Sequence, residues 1–350
     1  MTKSSHRQIC ITRTEQEQLL CAEASSLNPA FQCNELARGV VELSGPDPES
    51  FSPFYLFFAP QILPHAVQVL APSIKGWVTA LSDHLSSYFG DAADPWMLHI
   101  FEPSSAESGK EYSRAKLIRQ ETLGVLKQKR RTLLKSLRTN PDPEATLVQL
   151  VLQSPTEGWL SVSAPKLCKA LAPTLSPFVA GHVNIADDKA PPSRAFKKLR
   201  EAILVFGLPF ERGMSCADLG ASPGGWTQVL RDHGCSVVAV DRSPLAPHLM
   251  KDRLVTFERA DAFRWAPKQQ LDWMVCDVIA TPDKTVHLIE RWLKERLCKA
   301  FCCTIKFKGS PDFGALAEVR SVLAQHCSRH SGKQLTHNKN ELTVVGFLRD

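Results

Sequence analysis

The sequence predicts an α/β domain with a doubly wound, mostly parallel sheet in the C-terminal half of the chain, preceded by an α+β region. In the C-terminal half, short apolar runs alternate with stretches of helical periodicity, a pattern typical of parallel strands joined by helices. A polar segment at 183–193 contains Pro191 and Pro192 and is typical of an exposed connection. We therefore expect an N-terminal domain over 1–185 and a C-terminal domain over 190–350.

Six short apolar segments are the expected strands of the C-terminal domain. Each is only five to eight residues long and is followed by a turn or by a stretch with helical periodicity, such as 284–299. These strands are expected at 215–220, 236–241, 254–258, 271–277, 300–307 and 341–348.

The N-terminal half is less regular, because proline is frequent and the apolar runs have no constant spacing. Apolar residues at helical spacing predict a helix around 74–89. Strands are expected at 39–43, 96–101, 147–152 and 158–163. This mixture predicts an α+β domain.

Composition narrows the class of protein. With 43% hydrophobic and 22% charged residues, the chain is neither fibrous nor disordered. Eleven cysteines without a C-x-x-C pair favour free thiols in a reducing compartment over a disulfide framework. The start, MTKSSHRQ, lacks an apolar signal core, and no apolar run could span a bilayer. We therefore expect a soluble cytoplasmic protein.

The net charge of +6 is concentrated in one segment. Between Arg114 and Arg138 there are nine basic residues and a single acid, Glu121, so this segment carries +8 and the remainder −2. Leucines at helical spacing predict one amphipathic helix over 114–138. A solvated helix face is one interpretation, and a membrane-binding helix is another. We favour a surface for RNA because the charge is nearly unpaired, with contacts from Lys127, Lys129, Arg130, Arg131 and Lys135.

A glycine-rich loop, DLGASPGGW at 218–226, connects a predicted strand to a predicted helix. Its spacing is not G-x-G-x-x-G, which argues against a dinucleotide, whereas glycines let the backbone approach a ligand closely. Asp241 is placed for ribose hydroxyls, and Asp261 for a base edge. Acids around a glycine turn suit a positively charged nucleoside such as S-adenosylmethionine. The candidate cofactor residues are Asp218, Gly220, Ser222, Gly224, Gly225, Trp226, Asp241, Asp261 and Asp277.

DLGASPGGW resembles the cofactor loop of the FtsJ-like 2′-O-ribose methyltransferases. Further motifs in the order of that family are PSRAFKKLREA (192–202), LDWMVCD (271–277), IKF (305–307) and NELTV (340–344). The resemblance is specific from about residue 190 onward. It implies a Rossmann-like class I methyltransferase domain with a mostly parallel, seven-stranded sheet. The N-terminal half resembles an RNA-binding region with a THUMP domain.

The resemblance also implies a catalytic Lys-Asp-Lys-Glu tetrad, for which the candidates are Lys198, Asp277, Lys306 and Glu341. A ribose 2′-hydroxyl is a weak nucleophile, so an enzyme must orient it and assist the loss of its proton. Lys306 is expected to do so, with Asp277 and Glu341 placing its amine and Lys198 completing the network. Lys308 is the alternative to Lys306, since residues two apart on a strand share a face. No metal is required.

The resulting hypothesis is transfer of a methyl group from S-adenosylmethionine to a ribose 2′-hydroxyl of RNA. The preferred target is a cytidine of large-subunit (23S) ribosomal RNA, either free or in an assembling particle. Transfer RNA or a messenger cap is the alternative target. Two other classes remain open, a nicotinamide-dependent oxidoreductase and a catalytically inactive RNA-binding relative. The missing G-x-G-x-x-G disfavours the first, and the complete set of tetrad candidates disfavours the second.

Overall fold

The computed structural model describes residues 6–50, 54–309, 311 and 313–349. Residues 1–5, which belong to the segment MTKSSHRQ predicted to lack an apolar signal core, lie outside these ranges. The chain divides into two compact units, Met1–Asn184 and Ile185–Asp350. Within the described ranges, no helix combines the length and the apolar character needed to cross a membrane.

The first unit begins with a four-stranded antiparallel sheet in the order β2-β3-β1-β4. Buried Ile9, Cys10 and Ile11 anchor its central strand. Its elements are β1 (His6–Ile11), α1 (Glu17–Leu27), β2 (Gln32–Ala37), β3 (Val40–Gly45) and β4 (Gln61–Pro64).

A disulfide between Cys21 and Cys33 links α1 to β2. The expectation of free thiols only is therefore wrong for this pair, whose Cα atoms lie 5.4 Å apart although twelve positions separate them in sequence. Packing of α1 against the sheet brings the two together, and spacing alone could not reveal it. The other nine cysteines are free, and all but Cys168 are buried.

The second sheet of this unit has the order β5-β9-β8-β6-β7. Helix α2 packs its apolar stripe against it, after a start at which the Ser73 side chain accepts a hydrogen bond from Gly76 N. The elements are β5 (Val67–Leu70), α2 (Ile74–Phe89), β6 (Trp96–Phe101), α3 (Ser105–Ser108), α4 (Ser113–Lys129), α5 (Arg131–Lys135), β7 (Leu137–Arg138), β8 (Thr146–Leu152), β9 (Glu157–Ser163) and α6 (Pro165–Ala170). The four strands and the helix predicted in this half are all present.

The prediction of one continuous basic helix over 114–138 is wrong. Helix α4 ends at Lys129, and Arg130 has the non-helical angles φ −143° and ψ 59° before α5 begins. The break lets Leu133 enter the core, where its carbonyl accepts a hydrogen bond from Trp96 Nε1 at 2.8 Å. The chain then forms β7 beside β6, so tertiary contacts override the helical pattern.

The second unit contains one sheet of seven strands in the order β12-β11-β10-β13-β14-β16-β15. The first five strands of this order are parallel, and β16 runs antiparallel between β14 and β15. The elements are α7 (Phe196–Phe206), β10 (Ser215–Leu219), α8 (Gly225–Asp232), β11 (Ser236–Asp241), α9 (Pro247–Met250), β12 (Val255–Arg259), β13 (Leu271–Cys276), α10 (Pro282–Lys294), β14 (Cys298–Lys306), α11 (Phe313–His326), β15 (Cys327–Lys333) and β16 (Glu341–Leu348).

The six predicted strands of this unit are present, and the Rossmann-like α/β prediction is confirmed. Two details differ. The helix expected at 284–299 ends at Lys294, because Cys298 already begins the buried strand β14. Strand β15 has no counterpart among the predicted strands.

Candidate active site

The candidate residues of the second unit meet where the strand order of its sheet reverses. Strands β11 and β12 lie on one side of β10, whereas β13 and β14 lie on the other. Ligands of open α/β sheets bind in the crevice outside the carboxyl ends of the strands at such a point. Asp218 lies near the end of β10, Asp241 ends β11, Asp277 directly follows β13 and Lys306 ends β14.

The loop after β10 requires glycine at two positions. Gly220 has a φ of +75°, and Gly224, immediately before α8, has a φ of +113°. A Cβ on Gly220 would lie 3.1 Å from the Cβ of Val278, and one on Gly224 would lie 2.2 Å from Leu249 Cδ1. The positive φ values favour glycine at both positions, and Val278 leaves little room for a side chain at Gly220.

The same loop packs against the segment that opens α7. A Cβ on Gly225 would lie 2.3 Å from the hydroxyl oxygen of Ser193. The indole Nε1 of the buried Trp226 donates a 2.9 Å hydrogen bond to the carbonyl of Ala195. The cofactor loop and the helix that carries Lys198 are thus held together by direct contacts.

Asp218 is buried beneath the loop, and its carboxylate accepts a 2.6 Å hydrogen bond from the Thr227 hydroxyl. Burial raises the pKa of Asp218 to about 7, and the negative charges of Asp277 and Asp241 add to the increase. A buried acid at this edge favours a positively charged ligand, which would offset the cost of its ionisation.

The raised pKa of Asp218 predicts that this residue lowers the stability of the unliganded protein as the pH rises from about 4 to about 7, whereas the lowered pKa values of the buried His99 and His330 act in the opposite direction. In this window the folded protein retains a proton that the unfolded chain has lost, so each pH unit costs at most about 1.4 kcal/mol. Chemical denaturation at several pH values measures the slope. Asp218→Asn should remove this contribution, and an unchanged slope in that variant would contradict the assignment.

Asp241 and Asp261 both have hydrogen-bond partners. Asp241 accepts from Ser222 N at 3.0 Å and from Ser243 N at 2.8 Å. Asp261, two residues after β12, accepts from Phe263 N at 2.9 Å and pairs with Arg242 at 2.6 Å. The Phe263 backbone N–H and Arg242 lower the pKa of Asp261. The hydrogen bonds of Asp241 thereby hold the loop in place. A nucleoside base that binds at Asp261 would share the Asp261 carboxylate with Arg242.

The four tetrad candidates form one network. Lys198 Nζ lies 3.1 Å from Asp277 Oδ1 and 2.6 Å from Glu341 Oε1. Lys306 Nζ lies 3.0 Å from Asp277 Oδ1 and 3.9 Å from Glu341 Oε2, and it donates a 2.8 Å hydrogen bond to the Asp277 carbonyl. Their side chains are between 7% and 21% exposed. Two cations thus alternate with two carboxylates, and each lysine faces both acids.

Strand register explains why Lys306, and not Lys308, joins this network. Lys306 is paired with Glu341 across β14 and β16. Lys308 lies beyond the end of β14 and is exposed. The neighbouring lysine of α7 is also separate, since Lys197 Nζ pairs with Asp187 at 2.7 Å.

Thr304 is a member of the network that sequence analysis missed. Its hydroxyl donates a 2.6 Å hydrogen bond to Asp277 Oδ1. It lies two residues before Lys306 on β14, so both face the same side of the strand. The sequence signal that could have identified Thr304 is a polar residue within an apolar run, two positions before Lys306.

The basic residues of the first unit are less uniform than predicted. Lys127, Lys129, Arg131 and Lys135 are exposed, whereas Arg130 is half-buried and donates to the carbonyl of Gly90. Two other cations of the segment, Arg119 and Arg138, line a cavity of about 430 Å³ together with His99 and His182. The charge of this segment is therefore divided between an open surface and the cavity wall.

A glycine loop at the reversal of a Rossmann-like sheet, with the four tetrad candidates beside it, is the arrangement that the resemblance to methyltransferases implies. Residues 191–311 match the model of the family described as FtsJ-like methyltransferase, which confirms the resemblance predicted from the motifs. Within the described residues, no group of three or more His, Cys, Asp or Glu side chains could hold a metal ion.

Curated relatives carry the name ribosomal RNA large subunit methyltransferase M. The protein from Alkalilimnicola ehrlichii is 37% identical over 187 residues, which are 51% of this chain and 52% of the relative. The protein from Xanthomonas axonopodis pv. citri is 38% identical over 168 residues, or 45% and 48% of the two chains. The chain thus spans about half the length of the curated relatives it matches. Among solved structures, TrmN from Thermus thermophilus covers 98% of this chain at 15% identity, with a TM-score of only 0.33.

Proposed function

We propose that this chain transfers a methyl group from S-adenosylmethionine to a ribose 2′-hydroxyl of large-subunit ribosomal RNA. The observation that carries the proposal is the closed network of Lys198, Asp277, Lys306 and Glu341 beside a glycine-rich loop. The family match and the names of the relatives support the same reaction and the same class of RNA.

The loop and its acids fit S-adenosylmethionine. The positive φ values and the close packing at Gly220 and Gly224 fix the course of the main chain at the edge where the cofactor is proposed to bind. The buried Asp218 suits the positive charge of the cofactor, and Asp241 suits a ribose. When bound, S-adenosylmethionine supplies a methyl group on a positively charged sulfur. The residues proposed to hold it are Asp218, Gly220, Ser222, Gly224, Gly225, Trp226, Asp241, Asp261 and Asp277.

In the proposed reaction, Lys306 first releases its own proton to solvent, and its neutral amine then accepts the proton of the 2′-hydroxyl as that oxygen attacks the methyl group. S-adenosylmethionine held by the loop would supply the methyl group, with its sulfur as the leaving group. Asp277 fixes Lys306 through both its carboxylate and its carbonyl, which limits the positions open to the amine. Lys198 lies between Asp277 and Glu341 and compensates part of their negative charge. Lys306 is therefore not the only cation that pairs with the two carboxylates.

We propose the first unit as the RNA-binding region, with a THUMP-like fold. Its exposed cations Lys127, Lys129, Arg131 and Lys135 would contact phosphates, and Arg130 would contribute beside them. Within ribosomal RNA we favour a cytidine of the 23S molecule, free or in an assembly intermediate, and a cytoplasmic location follows from such a substrate. Another RNA, such as transfer RNA or a messenger cap, is the alternative target.

Ribose-methylation mapping of total RNA tests the proposed reaction. Cells that lack this protein should lose one 2′-O-methyl site in 23S ribosomal RNA, and the wild-type gene should restore it whereas a Lys306→Met gene should not. Loss of a 2′-O-methyl site in transfer or messenger RNA would show that this RNA, and not 23S ribosomal RNA, is the substrate. An unchanged map, together with RNA binding by the purified protein, would instead favour the catalytically inactive relative.

Exchange of Lys127 and Lys129 for glutamine should weaken RNA binding about 10- to 100-fold at low salt. Each lost phosphate contact should reduce the slope of log affinity against log salt by roughly 0.7 to 0.9. Filter binding at several salt concentrations measures both quantities. The matched control is the pair Lys75→Gln and Lys166→Gln, two exposed lysines outside the basic segment. Equal losses for both pairs would show only a general charge effect.

A further inference from the structure

Glu201 is a buried carboxylate next to the tetrad that the proposed reaction does not use. It lies on α7, three residues after Lys198, and is 1% exposed. Its two oxygens accept hydrogen bonds from Thr336 N at 2.6 Å, from His337 N at 2.8 Å and from His337 Nδ1 at 2.7 Å. The carboxylate therefore joins α7 to the segment that precedes β16.

That segment leads directly to Glu341 of the tetrad. Asn338 Nδ2 donates a 3.0 Å hydrogen bond to Thr343 Oγ1, and Asn340 Nδ2 donates a 3.1 Å hydrogen bond to the carbonyl of Phe307. Residues 336–340 are thus attached to α7 at one end and to the end of β14 at the other. These are the elements that carry Lys198 and Lys306.

The ion pair between Lys198 and Glu341 spans the elements that this attachment joins. Their ion pair, at 2.6 Å, bridges α7 and the first residue of β16. Catalytic groups must be held to within about 0.5 Å, and a displacement of about 1 Å can reduce a rate 100-fold. A carboxylate that holds both elements one helical turn from the pair is well placed to supply that precision.

Glu201 also faces a second buried charge. Lys333, on β15, is 2% exposed, and burial lowers its pKa to about 7 while the charge of Glu201 opposes the decrease. Glu201 could therefore have a purely structural role, which is to stabilise the charge of the buried Lys333. Any test has to separate this role from the effect on the tetrad.

We propose that Glu201 is a positioning residue for methyl transfer, which sets the separation of Lys198 and Glu341 by holding Thr336 and His337. The inference rests on the proposed function. It assigns a role in the reaction to a residue that need not touch RNA, cofactor or the transferred methyl group.

The test compares Glu201→Gln with the double variant Glu201→Met, Lys333→Met in the full chain. The double variant removes both buried charges, so Lys333 is not left as an uncompensated buried cation. We expect it to lose some thermal stability, because the amides of Thr336 and His337 lose their acceptor, and we expect kcat to fall about 10- to 100-fold in both variants at a temperature where both are folded. The affinity for S-adenosylmethionine and the KM for RNA should change less than about threefold. Recovery of wild-type kcat in the double variant would overturn the proposal.

His337→Ala keeps the test decisive if the double variant does not fold. It removes one of the three hydrogen bonds and leaves Glu201 beside Lys333, so kcat should fall roughly three- to tenfold with only a small loss of stability. Wild-type kcat in this variant would then overturn the proposal. Arg200→Gln, on the same helix but in exposed ion pairs with Asp188 and Asp232, is the control and should keep kcat.

Amide hydrogen exchange at Thr336 and His337 separates this proposal from the proposed function, because it needs no methyl transfer. Glu201→Gln should accelerate exchange at the amide whose acceptor oxygen becomes the NH₂ group, since Thr336 N and His337 N each donate to a different oxygen of Glu201. Unchanged exchange would overturn the attachment even in an active enzyme. Faster exchange in a protein whose wild type methylates no RNA would refute the methyltransferase alone.

Discussion

Lys306→Met should reduce the rate of methyl transfer by about 10²- to 10⁴-fold, the usual contribution of a positioned proton acceptor. Methionine retains the length of the side chain but removes the amine that lies 3.0 Å from Asp277 Oδ1 and 2.8 Å from the Asp277 carbonyl. Single-turnover assays with labelled S-adenosylmethionine measure the rate. The affinity for the cofactor should change little, because Lys306 is outside the glycine loop.

Lys308→Met is the matched control for this prediction. Lys308 is exposed beyond the end of β14, so its loss should leave the chemical step within about threefold of wild type. Lys306→Arg adds a second comparison, since it keeps the charge but replaces an amine by a guanidinium that cannot lose its proton. An active Lys306→Met protein together with an inactive Lys308→Met protein would assign the role of proton acceptor to Lys308 instead of Lys306.

The proximity of Asp277 and Lys306 could be predicted from the sequence, because both lie at the carboxyl ends of neighbouring parallel strands, which share one edge of the sheet. The approach of Lys198, which lies on α7 79 positions before Asp277, and of Glu341, which begins β16, was expected only from the order of the family motifs. Glu201 and Thr304 were not predicted as site residues. Both act through contacts with residues far away in sequence, and single polar residues in a helix or an apolar strand do not reveal such partners.

Strand β15 shows why part of the fold was not predicted. Its sequence, CSRHSGK, has neither alternation nor an apolar run, because it lies at the edge of the sheet. Edge strands are commonly polar, since charge protects them from pairing with other chains. The break between α4 and α5 was not predicted for a different reason, because the burial of Leu133 and its hydrogen bond with Trp96, 37 positions away, become available only in the folded chain.

Gly224→Ala should destabilise the protein by about 1–3 kcal/mol, the usual cost of an unfavourable backbone conformation, and reduce the affinity for S-adenosylmethionine at least about tenfold. The residue has a φ of +113°, and a Cβ there would lie 2.2 Å from Leu249 Cδ1. Because a φ of +113° is unfavourable for a residue with a Cβ and α8 begins at the next residue, relief of this strain would displace both the loop and the start of the helix.

Calorimetric titration of the cofactor and thermal unfolding measure the two effects of Gly224→Ala. Gly213→Ala is the matched control, since Gly213 also has a positive φ, +89°, but no atom within 4 Å of the added Cβ. It should lose stability without losing cofactor affinity. A Gly224→Ala protein that binds the cofactor as tightly as Gly213→Ala would mean that the loop does not form the cofactor site. The acids Asp218, Asp241 and Asp277 would then need another ligand to explain their placement at one edge.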